Sequence, residues 1–401
     1  MKAPRGTFDV LDGEERLALL SRSRDLLDTA MYEYVETPVF EETELFARGI
    51  GQSTDVVQKE MFTFEDKAGR SLTLRPEGTA PICRAYVEHG MHKRAQPVKL
   101  WYWGPFFRHE APQAGRFRQF SQVGAEVLGT DEPSADAELI VLLSQLLEGC
   151  REVSVRISSL GNPRTRSAYR DELRDWLGAR EGELSEPVRA RLDLNPLRAF
   201  DSDDAGTQAV MAEAPKLIDR LDDEDAEHFA AVRSLLDDAG LAYEVDPGLV
   251  RGLDYYTRTV FEFESGVLGA QAALGGGGRY DGLVELLGGS PTPGVGWAAG
   301  IERILLAQPE PVEGPPRGVF VAVAKPERRE EAFGVANDLR AAGVAAELEH
   351  TTRSLKGQLK QADRLGVRHT VILGDAFELK DMETGEQREV DGVQEVLREV
   401  A

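Results

Sequence analysis

The stretch that decides the fold is Phe106-Phe107-Arg108-His109-Glu110-Ala111-Pro112-Gln113-Ala114-Gly115-Arg116-Phe117-Arg118-Gln119-Phe120. Two pieces typical of β-strands flank Ala111–Gly115, where proline and glycine favour a turn. We therefore predict a β-hairpin with a mobile loop at its tip. Arg108, Arg116 and Arg118 could present guanidinium groups to phosphate oxygens, whose geometry a guanidinium matches better than an ammonium group does. A solvated edge hairpin whose arginines pair with nearby acids is an equal alternative on these residues alone.

On the N-terminal side of this hairpin, apolar periodicity predicts an amphipathic helix from Glu14 to Val35, and Val98–Trp103 has the pattern of a strand. Gly161-Asn162-Pro163 marks a break. Beyond it the chain turns helical, charged and poor in β-branched residues. We predict the first part of a core over residues 1–163 and a helical insertion over residues 164–245.

On the C-terminal side, strand character returns at Thr259–Phe263, so we predict that the core continues over residues 246–307. Residues 308–317 are rich in proline and poor in hydrophobic side chains, which is typical of a linker. Strand and helix patterns then alternate over residues 318–401. That alternation predicts a small parallel-type α/β domain with a terminal helix near Val393–Val400.

A second unusual stretch is Leu249-Val250-Arg251-Gly252-Leu253-Asp254-Tyr255-Tyr256-Thr257. Apolar and aromatic residues flank Arg251 and Asp254, and a charge in such surroundings is costly to desolvate without a partner. An internal salt bridge between these two residues is one interpretation. A substrate site is the other, with the hydroxyl groups of Tyr255 and Tyr256 directed at a polar ligand.

Three shorter motifs carry weaker signals. Gly275–Gly278 allows the backbone to approach a ligand closely, although glycine runs also form ordinary turns. Gly300-Ile301-Glu302-Arg303 puts an arginine in the first turn of an apolar helix, and Arg75-Pro76-Glu77-Gly78-Thr79 puts a carboxylate and a hydroxyl on a rigid turn. The sequence has neither a P-loop nor a Rossmann fingerprint. It also lacks the paired cysteine spacing of a structural zinc site.

The bulk composition is that of a soluble globular protein with two or three domains. The chain has 401 residues, of which 41% are hydrophobic and 29% are charged, and it contains two cysteines. Neither a signal peptide nor a membrane span is evident, so we predict a cytoplasmic protein. The net charge of −23 opposes a nucleic-acid partner at long range. Because salt screens that field within about 8–10 Å, the local distribution of basic residues decides whether a nucleic acid can bind.

Taken in order, these motifs resemble those of one family. Tyr34–Pro38 looks like motif 1 of class II aminoacyl-tRNA synthetases, Phe107–Phe120 resembles motif 2, and Gly300–Arg303 resembles motif 3. Leu249–Tyr256 and Gly277–Asp281 are similar to the two peptides that are particular to histidyl-tRNA synthetases. The resemblance extends over essentially the whole chain.

The resemblance implies an α+β fold. Its class II catalytic core, built on an antiparallel sheet, carries a helical insertion and is followed by a C-terminal α/β anticodon-binding domain. It implies a homodimer that activates L-histidine with ATP and Mg²⁺ to histidyl-adenylate and then charges the 3′ end of tRNA(His). The resemblance leaves the ligands of the magnesium ion unknown. The alternative is a paralogue without aminoacylation activity that serves as the regulatory subunit of ATP phosphoribosyltransferase. Such paralogues characteristically lack the anticodon domain and an intact peptide equivalent to Arg251–Tyr256.

The resemblance also implies roles for residues at the ATP side. Arg108 and Arg251 would be catalytic and would hold the α-phosphate from two sides, where fixed cations stabilise the negative charge that builds up during attack. Phe120 would stack on adenine and Arg303 would hold the triphosphate tail. The full set of implied ATP-binding residues is Arg108, Glu110, Arg116, Phe120 and Arg303.

At the histidine side, the resemblance implies that the substrate ammonium group is held by Glu77, Thr79 and Gln122. Glu126 and Tyr256 would recognise the two imidazole nitrogens, and Tyr255 would join them in binding histidine. Buried donors and acceptors of this kind reject any ligand that lacks matching nitrogens.

Two positions depart from the family pattern. Ser121 stands where the family often has histidine, which we expect to affect the motif 2 surface rather than the ligands. The stretch after Gly374-Asp375 is short, which we expect to trim a surface loop of the last domain.

Overall fold

The computed structural model describes residues 1–11, 13–51, 54, 56–110, 115–190, 192–193, 195–249, 253–309 and 318–400. The chain divides into two compact units, Met1–Pro309 and Glu310–Ala401. The predicted linker at residues 308–317 falls at this division, and its residues from 310 onward lie outside the described part of the chain.

The first unit is organised around an eight-stranded sheet with the order β1-β5-β6-β11-β10-β9-β7-β8, beside a three-stranded sheet with the order β2-β4-β3. All neighbouring pairs from β5 to β7 in the large sheet are antiparallel, whereas the edge strands β1 and β8 pair in parallel. The predicted antiparallel core is confirmed. The strands are β1 Glu33–Tyr34, β2 Phe40–Glu42, β3 Phe62–Glu65, β4 Ser71–Leu74, β5 Val98–Phe107, β6 Gln119–Leu128, β7 Val153–Ser159, β8 Glu244–Val245, β9 Thr257–Ser265, β10 Ala273–Arg279 and β11 Gly294–Gly300.

Helices cover both faces of the large sheet. One face packs with α1, α4, α8 and α10 in the largest apolar cluster, and the other packs with α3 and α9. The helices of this unit are α1 Glu14–Thr29, α2 Thr43–Gly49, α3 Thr79–Glu88, α4 Pro133–Leu146, α5 Pro163–Gly178, α6 Glu186–Arg189, α7 Ala205–Glu213, α8 Asp223–Asp238, α9 Leu283–Leu286 and α10 Ile301–Ala307.

The expected long N-terminal helix is shorter than predicted. It ends at Thr29 rather than Val35. Met31 adopts a positive φ of 63°, which turns the chain so that Glu33 and Tyr34 pair in parallel with β5. A long-range strand pairing therefore overrides the local helical periodicity.

The glycine run Gly275–Gly278 forms the middle of strand β10, so of the two alternatives left open by the sequence it is not a turn. A β-carbon on Gly275 would lie 2.7 Å from the β-carbon of Ala299 on β11, and one on Gly277 would collide with the Gly296 carbonyl. The glycines are thus required by the close approach of neighbouring backbone.

The predicted insertion is helical through α5, α6 and α7, which share an apolar cluster built on Tyr169, Leu173 and Leu177. Helix α8, at the end of the same range, behaves differently. Its Phe229 and Leu236 belong to the large core beside the sheet. The predicted boundary at residue 245 therefore stays a prediction.

The second unit contains a five-stranded sheet with the order β13-β12-β14-β15-β16. Strands β13, β12 and β14 are parallel, as predicted, whereas β15 and β16 add an antiparallel extension that the sequence pattern did not indicate. The elements are β12 Val319–Val323, α11 Arg329–Ala341, β13 Ala346–Leu348, α12 Leu355–Arg364, β14 His369–Leu373, β15 Phe377–Asp381, β16 Gln387–Glu389 and α13 Val393–Val400.

Within the described ranges, none of the helices combines the length and the apolar character needed to cross a bilayer. Cys83 and Cys150 are both free thiols.

Candidate active site

A cavity of about 540 Å³ opens on the α3 side of the large sheet. Strands β6, β10 and β11 form its floor, and the ends of β5 and α10 contribute to its walls. The sequence-predicted residues that line it are Glu77, Thr79, Arg108, Glu110, Arg116, Phe120, Gln122, Tyr255, Tyr256 and Arg303. Residues that are far apart in the sequence thus converge on one cavity.

Arg108 leaves the end of β5, at the base of the predicted hairpin, which β5 and β6 confirm. Its Nε donates to the Pro76 carbonyl at 2.9 Å, and its guanidinium carbon lies 5.5 Å from the centre of the Phe120 ring. These two contacts fix the plane of the guanidinium at the cavity wall.

Arg303, in the first turn of α10, also lines the cavity. Its Nε and Nη1 donate to the carbonyls of Gly115 and Ala273 at 2.9 and 2.8 Å. Burial lowers the pKa of Arg303, and repulsion by Arg116 and Arg108 lowers it further. Three arginines therefore lie close enough to repel one another at the cavity, and the negative charge of Glu110 offsets part of that repulsion.

Glu77 and Thr79 sit where α3 begins, and both line the cavity. The buried Glu77 carboxylate accepts from the backbone N–H groups of Thr79 and Ala80 at 2.6 and 3.0 Å. These are two of the N–H groups that a helix start leaves without partners. Burial raises the pKa of Glu77 in spite of these bonds and of the nearby positive charge of Arg108.

Gln122 projects from β6 into the cavity beside them. Its side-chain oxygen is buried, and within the described residues it has no hydrogen-bond donor. A buried acceptor without a donor costs free energy, on the order of 1–3 kcal/mol. The arrangement fits a ligand that brings N–H groups.

Glu126 is the exception among the predicted histidine-binding residues, because it does not line the cavity. It is fully buried on β6 and accepts from the hydroxyl groups of Thr79, Tyr280 and Tyr102 at 2.8, 2.6 and 3.4 Å. Burial raises its pKa from 4.5 to about 8. Glu126 therefore lies behind Thr79 as a carboxyl group whose charge is easily lost.

Tyr255 and Tyr256 stand side by side, with ring centres 4.7 Å apart, and both face the cavity. Tyr280 packs against Tyr255 at 5.9 Å. Burial raises the pKa of Tyr255 and Tyr280, so both phenols stay protonated and can donate hydrogen bonds.

Several lining residues were not singled out from the sequence, among them Tyr102, Glu262 and Glu302. Tyr102 lies within the strand pattern at residues 98–103. Its position in the cavity lining depends on Gly78, where a β-carbon would be 2.5 Å from the tyrosine ring. Glu302 precedes Arg303 in a motif that was noted for its arginine. Its carboxylate accepts from the backbone N–H of Ser121 at 3.0 Å and pairs with Arg16.

Some predictions fall elsewhere. Arg251, the proposed catalytic arginine, and the predicted loop at residues 111–114 lie outside the described residues. Arg279 does not face the cavity: it is fully buried and pairs with Asp136 at 2.6 Å. Ser121 does not line the cavity, as expected, but it is buried rather than on the surface of motif 2.

The family model for histidyl-tRNA synthetase matches residues 6–304, and the model for an anticodon binding domain matches residues 318–400. The chain belongs to the histidyl-tRNA synthetase family. The histidine–tRNA ligase of Rubrobacter xylanophilus is 48% identical, covering 98% of this chain and 97% of that protein. That of Halothermothrix orenii is 45% identical over 97% and 96%.

A solved structure gives the same result for the fold. The apo S. aureus histidyl-tRNA synthetase superposes with a TM-score of 0.82 at 35% identity and covers 100% of this chain. A structure described as an ATP phosphoribosyltransferase regulatory subunit/histidyl-tRNA synthetase from Bacillus halodurans has a TM-score of 0.66 at 24% identity over 94% of this chain, and at that identity it shows the fold alone.

Proposed function

We propose that this chain is an ATP-dependent histidine–tRNA ligase. It activates L-histidine with ATP to histidyl-adenylate and transfers the histidyl group to the 3′ end of tRNA(His). The observation that carries the proposal is a single cavity lined by three arginines together with Glu77, Gln122 and two tyrosines. Its setting is a chain that matches histidine–tRNA ligases over nearly its full length.

ATP binds at the arginine end. Arg108 contacts the α-phosphate, Arg303 and Arg116 hold the rest of the triphosphate, and Phe120 stacks on adenine beside Glu110. This assignment is supported by the mutual repulsion of the arginines, which an anion relieves. It is supported further by the backbone carbonyls that hold the Arg303 and Arg108 guanidiniums in place before a ligand arrives.

Histidine binds at the acidic end. Its ammonium group contacts Glu77, Thr79 and Gln122, and the unpartnered oxygen of Gln122 supports this assignment. Tyr255 and Tyr256 contact the imidazole. Glu126 recognises an imidazole nitrogen by giving up one of its hydroxyl donors, or does so through the Thr79 hydroxyl that it already holds at 2.8 Å.

The reaction needs two displacements. A carboxylate oxygen of histidine attacks the α-phosphorus, and the bond from that phosphorus to the β-phosphate oxygen breaks, so that pyrophosphate leaves. A hydroxyl group at the tRNA 3′ end then attacks the histidyl carbonyl and releases AMP. Arg108 stabilises the negative charge that develops at phosphorus. Arg251 acts from the other side of the phosphate, as the family resemblance implies.

Magnesium accompanies ATP in this proposal. Among the described residues, no three histidine, cysteine, aspartate or glutamate side chains come together in a way that could hold a metal ion. The cavity does provide the carboxylates of Glu110 and Glu262. Since Mg²⁺ commonly binds through phosphates with only one or two carboxylates, these residues fit an ion held mainly by ATP. When bound, it would neutralise charge on the leaving pyrophosphate.

The proposed tRNA partner gains support from helix α12. Lys356, Lys360 and Arg364 follow one another at a spacing of four residues, so they share one helix face, and all three are exposed. Across the described ranges, none of the three forms a salt bridge, whereas Arg328, Arg368 and Arg388 of the same unit do. Unpaired cations on one face suit an RNA phosphate backbone.

Around the motif 2 hairpin, by contrast, Arg94, Lys99 and Arg116 are all paired with glutamates. The charges of these three residues are thus neutralised, and α12 provides the stronger support for an RNA partner.

We propose a homodimer in the cytoplasm. The motif 1 region exposes the apolar side chains of Tyr34, Val39 and Phe40, and Phe40 stacks edge-on with the exposed Phe64 at 6.2 Å. Exposed apolar patches of this kind are typical of interaction surfaces. Sedimentation of the purified chain tests this part of the proposal, and a monomer at micromolar concentration would contradict it.

Charging of tRNA tests the function itself. The purified chain is incubated with ATP, Mg²⁺ and a transcript of tRNA(His), separately with each of the twenty amino acids. We expect charging with histidine alone. Folded protein that charges no amino acid, or a different one, would contradict the proposal. Absence of charging is also what the regulatory-subunit alternative predicts.

A further inference from the structure

Arg166 joins the helical segment to the peptide that carries the two cavity tyrosines. It lies in the first turns of α5, and its Nη1 donates to the carbonyls of Asp254 and Tyr256 at 2.7 and 2.8 Å. Arg166 does not itself line the cavity. We propose that Arg166 is a positioning residue that sets the histidine half of the cavity, an inference that rests on the proposed function.

The geometry singles out Tyr255. Arg166 holds the carbonyls of Asp254 and Tyr256, which are the neighbours of Tyr255 in the chain. A single guanidinium nitrogen therefore restrains the backbone on both sides of Tyr255. The Asp254 N–H is held in turn by the Ile50 carbonyl at 3.1 Å. Tyr255 and Tyr256 are therefore presented to the cavity from a short stretch of backbone with fixed carbonyls.

The packing of α5 gives a second, independent observation. Tyr169 and Leu173 of α5 belong to the same buried apolar cluster as Leu249 and Tyr256, with Leu253 and Tyr255 packed against it. The core of the helical segment is thus continuous with the back of the cavity tyrosines. A change in α5 reaches the histidine side by direct packing.

The start of α5 is itself firmly held. The side-chain oxygen of Asn162 caps the helix by accepting from the N–H groups of Arg164 and Thr165, both at 3.0 Å. The backbone N–H of Asn162 donates to the buried carboxylate of Asp225 at 2.7 Å. Arg166 therefore projects from a fixed base.

A guanidinium suits this position better than another cation. Burial lowers the pKa of Arg166, while the negative charge of Asp254 acts in the opposite direction. The planar group offers two N–H bonds from one nitrogen at a fixed angle, one for each carbonyl. A lysine ammonium retains the charge but does not reproduce that planar geometry.

The ATP half of the cavity is anchored without α5. Arg108 and Arg303 bond to the carbonyls of Pro76, Gly115 and Ala273, none of which contacts Arg166 through a hydrogen bond. Loss of Arg166 is therefore expected to weaken the binding of histidine and to leave the binding of ATP unchanged.

The test uses the full chain with Arg166→Ala, Arg166→Lys and the control Arg164→Ala, an exposed arginine on the same helix. Histidine-dependent ATP–pyrophosphate exchange gives KM for each substrate, and circular dichroism reports folding. We expect Arg166→Ala to raise the histidine KM about tenfold or more, the scale of lost hydrogen bonds from a charged group. The ATP KM is expected to change less than about twofold.

Arg166→Lys is expected to fall between wild type and Arg166→Ala, and it decides the matter if the alanine variant does not fold. A histidine KM in Arg166→Lys equal to that of Arg164→Ala would overturn the proposal. So would an equal rise in both KM values in either Arg166 variant. Failure of the wild-type chain to exchange with histidine would instead overturn the proposed function.

Discussion

Two groups of charged residues at the site are held in different ways. Arg108 and Arg303, which we propose to bind ATP, are held by backbone carbonyls, and their charge is permanent. Glu77 and Glu126, which we propose to bind histidine, are buried, and burial raises the pKa of both. In this proposal the phosphate site has cations that keep their charge, whereas the histidine site has carboxyl groups whose charge depends on what surrounds them.

The largest effect is expected at the ATP end. Arg108→Ala removes a cation that is aimed at the reacting phosphate, so we expect the pyrophosphate exchange rate to fall by about 10²–10³, or roughly 3–4 kcal/mol in barrier. Arg118→Ala is the control, because this arginine belongs to the same hairpin but is not part of the cavity lining. Equal rates in the two variants would show that Arg108 has no special role.

The next largest effect is expected from the protonation of Glu126, which should make the free energy of unfolding depend on pH. Its pKa is raised in the folded chain to about 8 from 4.5. The group therefore contributes stability that is fully present below pH 4.5 and lost as the pH rises through about 8. Between about pH 6 and pH 8 we expect wild type to lose about 2 kcal/mol in free energy of unfolding relative to Glu126→Gln.

Chemical denaturation of both proteins across this pH range measures that difference. Glu138→Gln serves as the control, because Glu138 also accepts from a tyrosine hydroxyl, that of Tyr32 at 2.8 Å, but is partly exposed and paired with Lys99. A difference between wild type and Glu126→Gln that does not vary with pH would mean that Glu126 is already ionised at pH 6.

Gln122 tests the same end from the ligand side. Gln122→Met removes the buried oxygen that lacks a donor, so we expect the ligand-free chain to be as stable as wild type or about 1 kcal/mol more stable. Histidine affinity is expected to fall about tenfold, since the ammonium group loses an acceptor. Thermal unfolding with and without histidine measures both quantities. Loss of stability with unchanged affinity would give Gln122 a structural role only.

Much of this site could be predicted from the sequence where the signal is local. Strand and helix patterns mark the arginines of the 106–120 hairpin and Arg303, and the family resemblance supplied their expected roles. Tyr102 and Glu126 are harder, because their environment comes from β4–α3, β5, β6 and β11 together. A β-carbon on Gly296 would collide with the Glu126 carboxylate, and no local pattern reports that constraint.

The fold shows the same division. The hairpin, α10 and the parallel strands of the second unit follow from short-range periodicity. Strand β10 was missed because a run of four glycines locally favours a turn, whereas the approach of β11 demands glycine there. The predicted end of α1 was wrong because Tyr34 is part of a strand that pairs with Trp101, which lies 67 residues further along the chain.

The smallest effect is expected at α12, in the second unit. Replacing Lys356, Lys360 and Arg364 with glutamine should leave pyrophosphate exchange unchanged. It should reduce the slope of log tRNA affinity against log salt by about 2–3, since each lost phosphate contact accounts for about 0.7–0.9. Arg398→Gln, an exposed cation on α13, is the control. An unchanged slope in the triple variant would remove α12 from the RNA surface.

The central claim is that one cavity joins histidine to the α-phosphate of ATP. It is tested most directly by mixing the chain with labelled histidine, ATP, Mg²⁺ and pyrophosphatase in the absence of tRNA, and then isolating the protein. We predict that histidyl-adenylate forms on the protein, that it approaches one equivalent per chain, and that tRNA(His) discharges it to charged tRNA and AMP. Folded protein that forms no adenylate with histidine, or forms it equally with other amino acids, would contradict the account.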